Sequence, residues 1–167
     1  DVVVVDYEGD YWPDKTKTDF VEYVSNGGGV VIVHASNNAF PKWKEYNEII
    51  GLGGWGGRDL RSGPMVRYRN GEMIYDYSAG NAGHHGPATP YQVVNRVSNP
   101  VTDALPEKWM HAKDELYCNL RGPAKDLTVL STAYADPADK GSGENEPILF
   151  TINYGKGRVF HDVMGHV

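Results

Sequence analysis

The feature that most constrains this chain is a pair of β-branched runs, Val2–Val5 and Val30–Val33, separated by little more than one helix. Runs without polar alternation read as strands buried on both faces, the habit of a parallel sheet. Parallel neighbours need a crossover of roughly a dozen residues, usually helical. Between the runs, Phe20, Val21 and Val24 share one inward helical face, Asp14 or Thr16 stands where a cap belongs, and Gly27 ends the helix after Asn26. The chain up to Phe40 therefore predicts one β-α-β unit. Gly27-Gly28-Gly29 permits the tight turn into the second strand, and His34 stands where that strand ends. Ligands of parallel α/β sheets sit outside the carboxyl ends of the strands. His34 is therefore the first candidate for function, with a solvated loop histidine as the plain alternative.

A chain of 167 residues fits a single domain with a sizeable core. Its single cysteine, Cys118, allows no internal disulfide, so nothing in cysteine usage marks a redox compartment. A formal net charge of −6 with scattered acids disfavours nucleic acid and anionic membrane as partners. There is no run long enough to span a membrane and no signal-peptide pattern, which leaves localisation open. The chain opens as if inside a strand at Asp1 and stops after Gly165-His166-Val167. We expect it to lack an N-terminal β-α portion and a C-terminal helix.

Beyond His34, Pro41 in a first turn with Trp43, Tyr46, Ile49 and Ile50 at helical spacing predicts a short amphipathic helix. Gly51 to Gly57 is glycine-rich and irregular, without the lysine of a phosphate-binding loop. Residues 65–77 predict a hairpin around Asn70-Gly71 or short strands beside the main sheet. Tyr91–Val97, Leu127–Ala133, Pro147–Ile152 and Gly157–Val163 read as further strands, the last two joined across Asn153-Tyr154-Gly155-Lys156.

His34, His85, His161 and His166 fall at or near these strand ends, together with Asp114 and Glu115. Neutral imidazole suits both proton transfer near pH 7 and metal ligation, and a carboxylate can orient the ring or join the ion. His34, His85, Asp114, Glu115 and His166 are the candidate catalytic groups. As neighbours, Asp114 and Glu115 point in different directions, so one of them faces a given site. No local metal-binding spacing is present; a divalent metal such as zinc assembled from separate loops ranks behind a metal-free polar pocket. Cys118 lacks a nucleophile elbow and Ser36 lacks the Gly-x-Ser-x-Gly frame. Tyr7 and Trp55 can pack on the apolar face of a sugar ring, Arg58 can bond to hydroxyls, and Ser36 and Asn37 can bind polar substrate atoms. Each of these can equally serve its own loop.

The Asp6-Tyr7-Glu8-Gly9 loop, the glycine-led strand ending in His34, the run Gly51 to Arg58, His85-Gly86, Trp109 to Tyr117, and Tyr154 to His166 together resemble the ThuA-like family, named for trehalose utilisation. The resemblance covers nearly the whole chain. It implies a three-layer α/β fold, flavodoxin-like and similar to class I glutamine amidotransferases, with a mainly parallel sheet and helices on both faces. His34 takes the place of the amidotransferase cysteine, which argues against glutamine hydrolysis. Relatives tend to carry a histidine before the proline at position 100, where this chain has Asn99. The implied function is carbohydrate metabolism, with a small-molecule carbohydrate as partner: an enzyme working on a sugar, glycoside or keto-sugar by hydrolysis or acid–base chemistry. The alternative is a noncatalytic carbohydrate-binding or interaction domain, and a homo-oligomer is compatible with either.

Overall fold

The computed structural model describes residues 1–166. Strands β1 (Val2–Val5) and β2 (Gly29–Val33) pair in parallel, from Val2 opposite Gly29 to Val5 opposite Ile32. Helix α1 (Asp14–Ser25) makes the crossover and buries Phe20 and Val24. Neither expected side-chain cap forms. Pro13 holds the cap position, and Asp14 lies inside the first turn, where its charge meets the positive end of the helix dipole. Helix α2 (Lys44–Ile50) begins three residues later than Pro41 suggests, because the backbone at Trp43 is still extended.

Among the described residues no α-helix follows Ile50. The chain continues through β3 (Met65–Arg69), β4 (Glu72–Asp76), β5 (His84–His85), β6 (Thr89–Asn95), β7 (Lys108–Asp114), β8 (Tyr117–Cys118), β9 (Leu127–Tyr134), β10 (Asn145–Tyr154) and β11 (Gly157–Asp162). Seven strands form the main sheet in the order β1-β2-β11-β10-β9-β6-β7. Of its six pairings, β1 with β2 and β2 with β11 are parallel and the other four are antiparallel. This overturns the expected flavodoxin-like, three-layer, mainly parallel fold with helices on both faces. The physical reason is connectivity. Of the main-sheet strands that are neighbours both in the chain and in space, β1 and β2 alone are joined through a helix among the described residues; Gly155-Lys156, for example, turns β10 straight back into β11 and makes that pair antiparallel.

The two helices cover one face. Val30 and Ile32 of β2, Ile152 of β10 and Val159 of β11 are buried with Val24 of α1 and with Tyr46, Ile49 and Ile50 of α2. A Cβ on Gly157 would stand 2.2 Å from the Val24 carbonyl oxygen, so glycine is required for this close approach. The alternate residues Val2 and Val4 point the other way and are each 63% exposed. The predicted hairpin around Asn70-Gly71 is present as β3-β4, with both turn residues at positive φ.

Two pairings position the site. In the parallel ladder, β11 runs beside β2 until Asp162 lies opposite Val33, so Val163–His166 leaves the sheet next to His34. The short β5-β8 ladder sets His85 opposite Tyr117. Beneath the turn that carries His34, the buried Tyr46 hydroxyl donates to the Ser36 carbonyl at 2.8 Å. Replacing Tyr46 by Phe leaves that carbonyl only the longer bond from the Ala39 N–H, at 3.3 Å. Denaturant unfolding of Tyr46→Phe is expected to show a loss of about 0.5–1.5 kcal/mol with an unchanged far-UV spectrum.

Candidate functional site

His34 leaves β2 with φ of 40°, a left-handed conformation that is uncommon for a residue with a Cβ, and opens a 3-10 turn through Asn37. Only 5% of the residue is exposed. Its Nδ1 lies 2.7 Å from the Val163 carbonyl oxygen, and because that oxygen can only accept, Nδ1 carries the proton. The other nitrogen, Nε2, is therefore a lone pair, and it is buried without any partner. A strained backbone and an orphaned polar atom in one residue are the combination that a functional role explains and a packing role does not.

Glu115 and His166 meet that face of His34. The rings of His34 and His166 are 5.1 Å apart, and His166 Nδ1 is 2.5 Å from Glu115 Oε2. His34, Glu115 and His166 each bring one ligand atom to within 4.8 Å of the others, a set that can coordinate a divalent metal. His85 joins from β5: its Nδ1 donates to the Gly86 carbonyl at 2.8 Å, and its Nε2 is 3.5 Å from Glu115 Oε2. Four of the five candidate catalytic residues thus converge.

The fifth, Asp114, is adjacent but points elsewhere. Its buried carboxylate accepts from the backbone N–H groups of Glu115 (2.8 Å), Gly165 (2.8 Å) and His166 (3.2 Å), and from His111 Nε2 (3.0 Å). Burial pushes its pKa up, but the donors from Gly165, His111, Glu115 and His166 outweigh that and hold it below the ordinary carboxylate value. Asp114 therefore ties the backbone of Glu115 to that of His166 and offers little to a ligand.

Of the candidate substrate-binding residues, Trp55 reaches the site. Its half-buried ring stands edge-on to Tyr117 at 4.6 Å and 6.0 Å from His85. Arg58 is almost wholly buried, and its Nε, Nη1 and Nη2 donate to Asn47 Oδ1 and to the carbonyls of Asn38, Gly54 and Ala39. Burial lowers its pKa to about 10. Ser36 accepts from Tyr7 N–H and donates to the Val5 carbonyl, while the Tyr7 ring stacks on Phe40. The buried Asn37 amide faces His161 Nε2 at 3.4 Å. These four hold the loops behind the site. Asn99 lies in the turn between β6 and β7, where its Oδ1 accepts from Val101 N–H.

Sequence reasoning missed Tyr117. Its ring lies 4.4 Å from His34 and 5.9 Å from His85, and burial pushes its hydroxyl up to about 12. Two-residue alternation from Glu115 was the available signal. The supports from Val163 and Gly165 are backbone groups, which no side-chain pattern announces.

The ThuA family, described as trehalose utilisation, matches residues 1–167. The chain belongs to the ThuA family. A ThuA-like protein of Parabacteroides merdae is 51% identical with a TM-score of 0.97, over 99% of this chain and 60% of that one. A second ThuA-like protein, from Bacteroides uniformis, shares 20% identity at a TM-score of 0.64, again over 99% of this chain and 60% of that one. The chain thus spans about three-fifths of the length of these ThuA-like structures. A β-galactosidase from Bacillus circulans matches at 13% identity and a TM-score of 0.51, over 98% of this chain and 18% of that one, a likeness of fold alone. No curated protein matches the chain.

His161, a strand-end candidate by position, is a fully buried core residue. Its Nδ1 donates to the Ile50 carbonyl at 2.8 Å, and burial lowers its pKa to about 4. An unfolded histidine titrates near 6.5. Above that value both states are neutral; as pH falls from about 6.5 to about 4 the unfolded state binds a proton that the native state refuses, and stability drops. Unfolding free energies measured from pH 7 to 4 should fall less steeply for His161→Gln than for the parent.

Proposed function

We propose that this ThuA-family chain is part of an enzyme that acts on a sugar, glycoside or keto-sugar by hydrolysis or proton transfer. The observation that carries this reading is the convergence of His34, His85, His166 and Glu115 on one point beside the half-buried ring of Trp55. A binding module has no need of three imidazoles around one carboxylate; acid–base chemistry near pH 7 does. In this scheme the His85–Glu115 pair exchanges protons with substrate at the mouth of the site. His34 and His166 hold the reacting oxygen from the interior side, and Trp55 packs on the apolar face of the ring. A divalent metal such as zinc enters the reading as a cofactor of the same cluster. The trehalose-utilisation description of the family supports a small carbohydrate as substrate. Among the described residues no helix is long and apolar enough to cross a membrane.

Turnover of a panel of glycosides and keto-sugars tests the reading. Glu115→Gln and His85→Ala should each lower kcat by about 100-fold or more, the usual yield of general acid–base catalysis, with the fold intact by circular dichroism. Sugar binding without turnover by the parent protein would establish the binding-module alternative instead.

A further inference from the structure

We propose that His34, Glu115 and His166 are the protein ligands of a zinc-type divalent cation, with Asp114 and the Val163 carbonyl as its outer supports. The inference deepens the reading above by assigning the ligands of its metal, with Glu115 a donor to the ion and proton exchange left to His85, yet its ligand argument needs no sugar.

The first support is the state of the imidazoles. His34 and His85 have Nδ1 committed to carbonyl oxygens, those of Val163 and Gly86, and His166 Nδ1 lies against the Glu115 carboxylate. The His166 contact joins two of the proposed ligands, whereas a carbonyl oxygen can only accept, so His34 keeps its proton on Nδ1 and presents Nε2 as a lone pair. Metal-binding histidines are prepared in this way, one nitrogen donating to an oxygen and the other facing the ion.

The second support is the orphaned His34 Nε2. Burying an imidazole lone pair without a donor is costly, and the backbone of His34 is strained as well. A cation satisfies that lone pair directly. Glu115 and His166 bring the remaining donors to within 4.8 Å, a hole of ionic rather than substrate size.

The third support is the bracing of the ligands. One carboxylate, Asp114, receives the backbone N–H groups of both Glu115 and His166, and Val163, three residues before His166, receives the ring of His34. All three ligands are thus tied to one another through Asp114 and the segment 163–166. Holding donors in place before the ion arrives lowers the ordering cost of binding.

Two nitrogens and one carboxylate oxygen are a borderline-soft donor set that suits zinc. Calcium and magnesium, which require mostly oxygen, are poorly served. Three protein donors leave a coordination position open, as in catalytic rather than structural zinc sites. His85, with Nε2 3.5 Å from Glu115 Oε2, stands beside the three donors and outside the ligand set.

Zinc stoichiometry and affinity are measured on chelator-stripped protein by elemental analysis and calorimetry, with cobalt(II) as spectroscopic probe. One zinc per chain, a visible cobalt band of low-coordinate type, a higher Tm with zinc, and no response to magnesium are expected. Glu115→Gln and His166→Asn, both at partly exposed positions, should weaken zinc by more than about 100-fold; Asp114→Asn should weaken it by about 10–100-fold, the cost of losing an outer support. A folded parent protein that binds no zinc and gives no cobalt band overturns the proposal, as does parental affinity in folded Glu115→Gln. Sugar turnover by stripped protein that binds no zinc overturns it while leaving the sugar reading intact; one bound zinc without turnover supports it and counts against that reading.

Discussion

The parallel pairing of β11 with β2 is the contact on which the site depends. It joins the last strand to the first β-α-β unit, and its register ends with Asp162 opposite Val33. From there both chains leave the sheet at the same edge. The Val163 carbonyl falls 2.7 Å from His34 Nδ1, and His166 arrives against Glu115. A two-residue slip of this ladder would carry both contacts away by roughly two strand rises, some 6–7 Å. The interior of the ladder resists such a slip because Val30, Ile32, Val159 and His161 are packed under the helices.

The strained turn at His34 is held by buried hydrogen bonds that have no other evident purpose. Ser36 bridges Tyr7 and Val5, Tyr46 meets the Ser36 carbonyl, and Arg58 gathers three carbonyls and the Asn47 side chain. A sparsely populated φ persists only where its surroundings over-determine it. Burial makes each of these bonds expensive to lose, which converts a floppy glycine-rich neighbourhood into a rigid floor. His161 belongs to this floor: desolvation keeps it neutral, so its ring serves the Ile50 carbonyl and the Asn37 amide and takes no part in proton transfer.

Much of the candidate cluster is legible residue by residue. The place of His34 after a β-branched run makes it a candidate, and positions near strand ends do the same for His85, Glu115 and His166. Asp114 and Glu115 had to diverge because neighbours do, but which one faced inward depended on strand β7 ending at Asp114, beside the backbone of Gly165 and His166. Arg58 illustrates the opposite failure. A cation beside a glycine-rich loop suggests a ligand contact until the loop is seen to fold around the guanidinium and use its donors.

Local chemistry decided the first crossover, the positions of the strands and the identities of the converging side chains, because β-branched runs, helical spacing and turn residues act over a few residues. Strand direction and order were decided only in three dimensions. After Ile50 the described residues hold strands and turns without a further α-helix, and that pattern, weighed alone, argues for antiparallel pairing. What no local pattern carries is the order β2-β11-β10-β9-β6-β7, since it depends on which hydrophobic faces meet across more than a hundred residues. That long-range choice places His34 and His166 at one edge and turns scattered histidines into a cluster.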